Sequence, residues 1–338
     1  MTDAARDAVT RGMALWANPS SPHAEGRAAR AALEEARRGI DSAYGWHGET
    51  LLTSGASESL AIALGRTTVP RRLIIAVEHD AVMRAGTGAD VVPVGTDGIV
   101  DLATLAAMLV DGPALVCVQW ANSETGVRQP VAAVAEVVHA AGGTLLVDAA
   151  QMPASAELTG IADMVALSAH KRGGPPGVGA LLVRDLALLH PSGGQERGYR
   201  PGTENLPGVL GYAAALAEPE PDHSALRVRL DDAIVRSGGE IVAADSPRHP
   251  AIGSYRLRGS AAAAQLILLD SAGFAVSAGS ACSSGSMKPS HVLAAMGWDE
   301  AAGREVIRVS FGRTTIEAEV DAFIAAWRQM ARTTRRAA

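Results

Sequence analysis

The fold is decided by the stretch Met164-Val-Ala-Leu-Ser-Ala-His-Lys-Arg-Gly-Gly-Pro-Pro-Gly-Val-Gly-Ala-Leu-Leu-Val183. Its two ends, Met164–Leu167 and Val178–Val183, are short aliphatic runs bounded by turn residues. This pattern is typical of strands that are buried in a parallel sheet. Between them Lys171 precedes a loop rich in glycine and proline. The lysine therefore follows the carboxyl end of a strand, where open α/β sheets bind their ligands.

Similar aliphatic runs recur upstream and predict further buried parallel strands. They are Arg72–Val77, Val91–Val94, Ala114–Trp120 and Thr144–Val147. Helical patterns lie around and between them at Ala24–Ala43, Glu58–Leu64, Leu102–Leu109 and Val131–Ala141. This alternation indicates an α/β layer with a mostly parallel sheet.

The pattern changes after Ala217, where the charged, proline-broken segment Glu218-Pro-Glu-Pro-Asp222 is typical of a linker. Beyond it we predict helices over Ala225–Arg236, Ala261–Leu269 and Glu317–Arg332, and strands near Glu240–Ala243, Ser254–Leu257 and Val306–Phe311. We therefore expect a large α/β domain over residues 12–220 and a smaller α+β domain over residues 221–338.

The composition excludes several classes of protein. Of the 338 residues 48% are hydrophobic and 20% are charged, which is typical of a globular chain and not of a disordered one. The net charge of −6 argues against binding nucleic acid through a basic face. No apolar run approaches the ~18 residues of a membrane span, and residues 1–11 lack the apolar core of a signal peptide. We expect a cytoplasmic enzyme that binds neither nucleic acid nor a membrane.

The two cysteines, Cys117 and Cys282, cannot form a disulfide framework or a thiolate zinc site. We predict no metal site. Cys117 lies within a predicted strand and is interpreted as a small buried hydrophobic residue. Cys282 belongs to no apolar pattern and lies in a loop, Ser277–Pro289, that is rich in serine and glycine, as expected of a mobile arm.

A carboxylate and a lysine are predicted to share one pocket. Asp148 ends the run Leu145–Val147, and Lys171 follows about one strand–crossover–strand step later. Pyridoxal phosphate needs such a pair, because the lysine forms the Schiff base and an aspartate keeps the pyridine nitrogen protonated. Taken singly, each residue also has an explanation that involves no cofactor. Lys171 could be solvated, and Asp148 could cap the next helix.

Two further segments add to this pattern. Thr53-Ser-Gly-Ala-Ser-Glu-Ser59 leads into a helix, where backbone N–H groups and hydroxyls would cradle a phosphate, although an ordinary N-cap has the same sequence. His79 follows the run Arg72–Val77, where an imidazole could stack on a planar cofactor or be merely structural. Because the four segments follow four different strands, coincidence is a poor explanation.

A series of short motifs occurs in a specific order from about Asn18 to the C-terminus. They are Asn18-Pro-Ser-Ser-Pro-His23, Thr53-Ser-Gly-Ala-Ser-Glu-Ser59, Glu78-His79, Asn122-Ser-Glu-Thr-Gly126, Asp148-Ala-Ala-Gln151, Ser168-Ala-His-Lys171, Gly193-Gly-Gln-Glu-Arg-Gly198, Arg200-Pro-Gly-Thr203, Gly279-Ser-Ala-Cys282 and Arg308-Val-Ser-Phe-Gly-Arg313. In this order the chain resembles the cysteine desulfurases of the class-V aminotransferase superfamily, in the iron–sulfur-cluster and nitrogen-fixation branch. The resemblance implies the fold of the PLP-dependent transferases of type I.

The resemblance also implies a cofactor, pyridoxal 5'-phosphate, and the residues that hold it. Lys171 carries the Schiff base and moves protons at the substrate's α-carbon, His79 stacks on the ring, and Asp148 pairs with the pyridine nitrogen. The remaining implied contacts are Gln151 at the phenolic oxygen, Ala56, Ser57, Ser168 and His170 at the phosphate, and Asn122 and Ser123 beside the cofactor.

Substrate and partners are implied in the same way. Arg308, with Asn122 beside it, clamps the carboxylate of L-cysteine, a task that suits the planar guanidinium fork. Cys282 takes the sulfur as a persulfide, leaving L-alanine, and passes it to an acceptor protein, either a cluster scaffold or a thiolation enzyme. Thr203 reaches the phosphate of the neighbouring subunit's cofactor, which makes a homodimer part of the active site.

The chain departs from the family pattern at a few positions. Met1–Ala17 shows no sign of the short strand that the family uses in its substrate pocket. Asn122 and Ser123 stand where the family has paired asparagines, so either side chain could face the cofactor. Gly173 and Pro176 replace the usual tyrosine and lysine, which is expected to loosen that turn. Serine at position 57 replaces a threonine and keeps the hydroxyl.

Three alternatives stay open at the level of the sequence. Another class-V enzyme, an aminotransferase or a selenocysteine lyase, would use the same cofactor residues but would not need Cys282. A non-catalytic sulfur-relay scaffold would fit the missing N-terminal strand. A nicotinamide-dependent reductase is disfavoured, because no predicted strand is followed by a G-x-G-x-x-G turn into a helix.

Overall fold

A seven-stranded sheet forms the centre of the larger part of the molecule. The computed structural model describes residues 1–279 and 289–337. The strands of this sheet are β1 (Glu49–Thr53), β2 (Arg72–Ile75), β3 (Asp90–Val92), β4 (Leu115–Gln119), β5 (Thr144–Asp148), β6 (Met164–Ser168) and β7 (Gly179–Val183). They lie in the order β1-β7-β6-β5-β4-β2-β3, and β2 to β6 pair in parallel. The expected mostly parallel α/β sheet is confirmed.

One strand prediction is wrong in direction. β7 runs antiparallel to both of its neighbours, β1 and β6, and is not a parallel strand. The reason is the length of the connection, because residues 169–178 are too few for the crossover of a dozen or more residues that a parallel return needs. β1 was not predicted from the sequence. It carries only two apolar residues, which are too few to distinguish a strand from a loop.

Helices cover both faces of the sheet. They are α1 (Asp3–Ala14), α2 (Ala24–Tyr44), α3 (Ala56–Gly65), α4 (Asp80–Ala85), α5 (Leu102–Leu109), α6 (Val131–Ala140) and α7 (Leu206–Leu216). Successive strand residues face opposite sides. In β5, Leu145 and Val147 therefore join the core under α2, α5, α6 and α7, whereas Leu146 joins the core under α3 and α4. This double burial explains the continuous aliphatic runs of the sequence.

The remainder of the chain forms a second, smaller sheet with its own core. Its elements are α8 (Ser224–Arg236), β8 (Glu240–Ile241), β9 (Ile252–Arg256), α9 (Ala262–Ser271), β10 (Ser277–Ala278), α10 (His291–Ala295), α11 (Glu300–Gly303), β11 (Val306–Ser310) and α12 (Glu317–Ala337). The strands are antiparallel in the order β10-β11-β9-β8, and α8, α9 and α12 pack on them around the buried Trp327. The predicted boundary after residue 220 lies between α7 and α8 and stays a prediction.

The loop after β4 joins the two sheets. Gly126 accepts a hydrogen bond from the His249 backbone N–H at 2.7 Å, and Glu124 accepts one from the Ser254 hydroxyl at 2.8 Å. Gly126 has φ +78°, and a Cβ there would lie 2.6 Å from the Ile252 carbonyl oxygen. A glycine is therefore required for the loop to come this close to β9.

The sequence analysis expected no strand in Met1–Ala17. The structure agrees, because this segment contains a helix, α1. α1 packs against α7 at positions where glycines allow close contact: a Cβ at Gly12 would lie 2.7 Å from Pro207. The Thr2 N–H donates to the Gly173 carbonyl at 2.8 Å, which ties this end of the chain to the loop after β6. No helix in the described ranges is long and apolar enough to cross a membrane.

Candidate active site

The carboxyl ends of four parallel strands open on one cavity of about 410 Å³. Each strand supplies a polar side chain there: His79 follows β2, Gln119 and Asp148 end β4 and β5, and Lys171 follows β6. Gln119 and Asp148 are direct partners in the β4–β5 register. The structure thus brings Asp148 and Lys171 together at one edge of the sheet.

Lys171 lies in a short 3₁₀ helix, Ala169–Arg172, that begins where β6 ends. Gly173 closes it with φ +80°, a left-handed conformation that favours glycine, and the Gly174 N–H donates to the Ala169 carbonyl at 2.9 Å. The replacement of the family's tyrosine by Gly173 therefore leaves a closed, hydrogen-bonded turn around the lysine.

Asp148 is 8% exposed, and its Oδ1 accepts the Ala150 N–H at 2.9 Å. Burial raises the pKa of this carboxyl, while the hydrogen bond and the charges of Lys171 and His79 oppose the rise. A buried carboxylate of this kind is stabilised in its charged form by a cation placed against it. A protonated ring nitrogen would be such a cation.

His79 begins α4, and its Nδ1 accepts the Ala81 N–H at 3.1 Å. Burial and the nearby charge of Lys171 lower its pKa, and Asp148 opposes them. The ring is therefore neutral at pH 7, with its proton on Nε2. In this orientation at the start of α4 it lines the 410 Å³ cavity.

Part of the cavity lining is a cradle of N–H and hydroxyl groups. Ser54 to Ser57 line it, where α3 begins without a side-chain cap at Gly55. The first N–H groups of a helix suit an anion. A Cβ at Gly179 of β7 would lie 2.5 Å from the Gly55 Cα, so two glycines let this loop sit close to the sheet. The Ser168 hydroxyl and His170 Nδ1 lie 3.0 Å apart beside it.

A second cavity, of about 330 Å³, adjoins the first. Both are lined by His79, Ser123, Gln151 and Lys171. Arg308 of β11 lines the second, where its guanidinium donates to the Ser123 carbonyl at 2.8 Å and to the Ser277 hydroxyl at 3.1 Å. A guanidinium within the same cavity as Lys171 is suited to the carboxylate of a small molecule held at the lysine.

The comparison with known proteins agrees with this geometry. The model of the class-V aminotransferase family matches residues 6–323. The chain belongs to this family. It is 38% identical to a cysteine desulfurase of Cereibacter sphaeroides over 90% of this chain and 86% of that protein. It also resembles the solved structure of a NifS-like protein from Rickettsia africae, with a TM-score of 0.88 and 26% identity over 98% of this chain and 96% of the other.

A third relative was solved with a bound ligand. It is described as SspA in complex with cysteine, and it matches with a TM-score of 0.80 and 26% identity over 94% of this chain and 97% of that chain. Within the class-V family the chain therefore groups with the cysteine desulfurases and NifS-like proteins. The fold of the pyridoxal-phosphate enzymes of type I is confirmed by these likenesses.

The family's asparagine pair takes two different positions in this chain. Asn122 is 2% exposed, donates to the Val77 carbonyl at 3.0 Å and accepts the N–H groups of Glu124 and Thr125 through its Oδ1. It is absent from the lining of the described cavities, whereas Ser123 lines two of them. Asn122 thus shapes the loop from within, and Ser123 faces the candidate cofactor and substrate space.

Thr203, like Asn122, was predicted at the site but does not line the described cavities. It is exposed on the loop before α7. The same loop is held by Arg200, whose Nε lies 3.0 Å from the Glu58 carboxylate in the first turn of α3. Cys282, the predicted nucleophile, lies outside the described residues.

Three residues in or next to the two cavities were not predicted from the sequence. Gln119 could have been, because it ends a strand as Asp148 does and therefore lies at the carboxyl edge of the sheet. Glu78 is fully buried, accepts the Gln119 N–H at 2.7 Å, and has a pKa raised well above its ordinary value by burial and by Asp148. His249 lies in an irregular turn before β9 and lines the 330 Å³ cavity; no pattern in the sequence marks it.

The residues present fit pyridoxal phosphate. The anion cradle, the buried carboxylate of Asp148 and the amine of Lys171 line one cavity, and a Cβ at Gly55 would meet no atom within 4 Å, which leaves open space above the start of α3. These are the three groups that a phosphate, a pyridine nitrogen and an aldehyde require. Among the described residues no group of three or more His, Cys, Asp or Glu side chains could hold a metal ion.

Proposed function

We propose that this protein is a pyridoxal-phosphate-dependent cysteine desulfurase that converts L-cysteine to L-alanine and retains the sulfur as a persulfide. The observation that carries the proposal is the meeting of Lys171, Asp148, His79 and Gln151 in one cavity whose lining includes an anion cradle. The cysteine desulfurases among its relatives support the same activity.

The cofactor contributes an electron sink for charge that develops at the substrate's α-carbon. Lys171 would attach the cofactor and would move the proton of the substrate's α-carbon. Asp148 would keep a proton on the ring nitrogen, His79 would stack on the ring, and Gln151 would contact the phenolic oxygen. The phosphate would be bound by four residues that line the same cavity, Ala56, Ser57, Ser168 and His170.

Arg308 binds the carboxylate of L-cysteine in the adjoining cavity. Its bonds to the Ser123 carbonyl and the Ser277 hydroxyl fix the plane of the guanidinium, so that the carboxylate meets an oriented fork. Ser123, and not the internally bonded Asn122, is the side chain of that loop that we place beside the cofactor and substrate.

Sulfur leaves the substrate through Cys282. Its thiolate attacks the substrate sulfur, an S–S bond forms as the C–S bond breaks, and the electron pair of the C–S bond takes up a proton to complete the methyl group of alanine. The balance is one cysteine and one thiol giving one alanine and one persulfide. An acceptor protein, a cluster scaffold or a thiolation enzyme, then removes the outer sulfur by thiol exchange.

The same proposal includes a homodimer and a location. We infer that Thr203 binds the phosphate of the partner subunit's cofactor; its exposure, and the bond by which Arg200 anchors its loop to Glu58 beside the cradle, support this role. A cytoplasmic location follows from the chemistry, because a free thiolate persists in a reducing compartment.

Trapping the cofactor tests the proposal. The protein loaded with pyridoxal phosphate is reduced with borohydride, digested and mapped by mass spectrometry, and alanine release from L-cysteine is measured in parallel. We expect the pyridoxyl group on Lys171. The chain has two lysines, Lys171 and Lys288, so Lys288→Ala is the matched control for attachment. Lys171→Ala loses both the adduct and alanine formation.

An adduct on Lys288, or a wild-type protein that binds the cofactor but releases no alanine from L-cysteine, would contradict the proposal. In the second case, transfer of the amino group to a keto acid would identify an aminotransferase.

A further inference from the structure

A second imidazole, that of His249, lines the cavity that His79 and Arg308 line. His249 is 8% exposed and lines both the 330 Å³ cavity and a larger one of about 1020 Å³. Lys171 and Arg172 line both of these cavities too. His249 therefore stands at the junction between the space beside the catalytic lysine and the outer cavity.

Its hydrogen bonds define the proton position on the ring. The Ala251 N–H donates to His249 Nδ1 at 3.1 Å, so Nδ1 is an acceptor and carries no proton. A neutral ring must then carry its proton on Nε2. His79 has the same arrangement with the Ala81 N–H. The cavity is therefore bordered by two imidazoles whose Nδ1 atoms are both acceptors of a backbone N–H.

The imidazole of His249 is also uncharged near pH 7. Burial, together with the charges of Arg172, Arg128, Arg227 and His223, lowers the pKa of His249 to about 4. Within the described part of the chain, His249 Nε2 has no hydrogen-bond acceptor. It is also not one of the fully buried side-chain atoms that lack a partner, so it is accessible from the cavity.

The position of His249 relative to Arg308 points to the group that it would bind. β9 pairs with β11, so that Ile252 lies opposite Ser310, and the Phe311 N–H donates to the Ala251 carbonyl at 2.8 Å. His249 and Arg308 both line the 330 Å³ cavity, which Lys171 and Gln151 line as well. A small amino acid attached at Lys171 with its carboxylate at Arg308 would occupy this cavity, which His249 borders.

A carboxylate needs more donors than Arg308 supplies freely. It accepts at about four lone-pair sites, and the Arg308 guanidinium also donates to Ser123 and Ser277. A neutral N–H donor adds a bond without repelling the guanidinium beside it.

We propose that His249 is a substrate-binding residue, whose Nε2–H donates a hydrogen bond to the α-carboxylate of the amino-acid substrate beside Arg308. This inference rests on the proposed function for the cofactor at Lys171 and the amino-acid substrate. It assigns a role in carboxylate recognition to the small sheet's β9 turn as well as to β11.

Two ligands that each lack one functional group test it. L-alanine has the carboxylate but no thiol, and cysteamine has the thiol but no carboxylate. Their dissociation constants are measured from the absorbance change of the cofactor-loaded protein. We expect His249→Leu to weaken L-alanine binding by about tenfold or more, the range of a hydrogen bond to a charged group, and to leave cysteamine binding unchanged. For L-cysteine the KM rises by a similar factor while kcat changes little.

His249→Gln is the second variant, because its amide nitrogen can donate from about the place of Nε2. It should restore most of the affinity for L-alanine. Equal affinities for L-alanine in wild type and His249→Leu overturn the inference, as does an equal loss for cysteamine, which would indicate a packing role or a contact with the thiol or amine. Failure of the proposed function is separate, since it appears as wild-type protein that does not release alanine from L-cysteine.

Discussion

At the scale of single residues, the two cysteines differ in what their surroundings allow. Cys117 is fully buried in β4, and burial together with the charges of Glu78 and Asp148 raises its pKa well above the ordinary value. It stays a thiol, and a buried thiol is inert toward a disulfide or a substrate sulfur. The burial of Cys117 therefore agrees with the proposal that Cys282 is the nucleophile.

We expect Cys282→Ser to fold, bind the cofactor and change its absorbance on addition of L-cysteine. Alanine release should fall by roughly 100-fold or more, because a hydroxyl is a poor nucleophile toward sulfur. Single-turnover assays of alanine, with mass spectrometry of the unreduced protein, measure both effects, and wild type should gain one sulfur on Cys282.

Cys117→Ala is the matched control and should retain alanine release. If Cys282→Ser releases alanine at the wild-type rate, the chemistry is that of a selenocysteine lyase or an aminotransferase and not of a desulfurase.

At the scale of elements, a buried ion pair holds the loop that carries Arg200 and Thr203. Glu196 accepts from Arg37 of α2 at 2.6 Å and from the Leu52 N–H of β1 at 2.9 Å. Glu196 and Arg197 have φ +48° and +55°, a left-handed conformation that costs non-glycine residues about 1 kcal/mol or more. The ion pair thus joins α2, β1 and a strained turn.

Glu196→Gln should lower the free energy of unfolding by about 3 kcal/mol, the lower end of the range for a broken buried pair, because Arg37 keeps only its second carboxylate partner, the partly exposed Glu34 at 3.0 Å. Urea unfolding followed by circular dichroism measures the change. The exposed pair of Arg229 and Asp321 is the control, and Asp321→Asn should leave the unfolding midpoint where it is, since water and salt screen that pair. Equal midpoints for the two variants would show that the buried pair does not hold the loop.

At the scale of the whole molecule, the proposed role of Thr203 at the partner's cofactor predicts a dimer with two shared sites. Light scattering should give about twice the 34.7 kDa of one chain. Thr203→Ala should weaken cofactor retention by about tenfold if its hydroxyl binds the partner's phosphate.

Mixing variants tests the sharing directly. Chains with Lys171→Ala and chains with Thr203→Ala are refolded or exchanged together at limiting cofactor. In the mixed dimers that form, one active site carries both substitutions and the other carries neither. Random pairing should restore about a quarter of wild-type alanine release. Activity of the mixture equal to the average of the two separate variants, or a fully active monomer, would contradict the shared site.

Most strands of the large sheet and the polar residues at its edge could be predicted from sequence patterns. Strands buried on both faces produce continuous aliphatic runs, and a polar residue directly after such a run must lie at the carboxyl edge. Lys171, Asp148 and His79 were therefore found from position alone, before any contact was known. The family motifs added the roles, because their order along the chain is specific.

Only the tertiary structure decided the features that depend on distant contacts. Whether Asn122 or Ser123 faces the cavity depends on the Val77 carbonyl that Asn122 binds, and the direction of β7 depends on how far residues 169–178 can reach. The pairing of Arg37 with Glu196 and the placing of His249 beside the lysine join parts of the chain that no local pattern connects. Local propensity and periodicity act over a few residues, whereas these contacts exist only after the two sheets have packed.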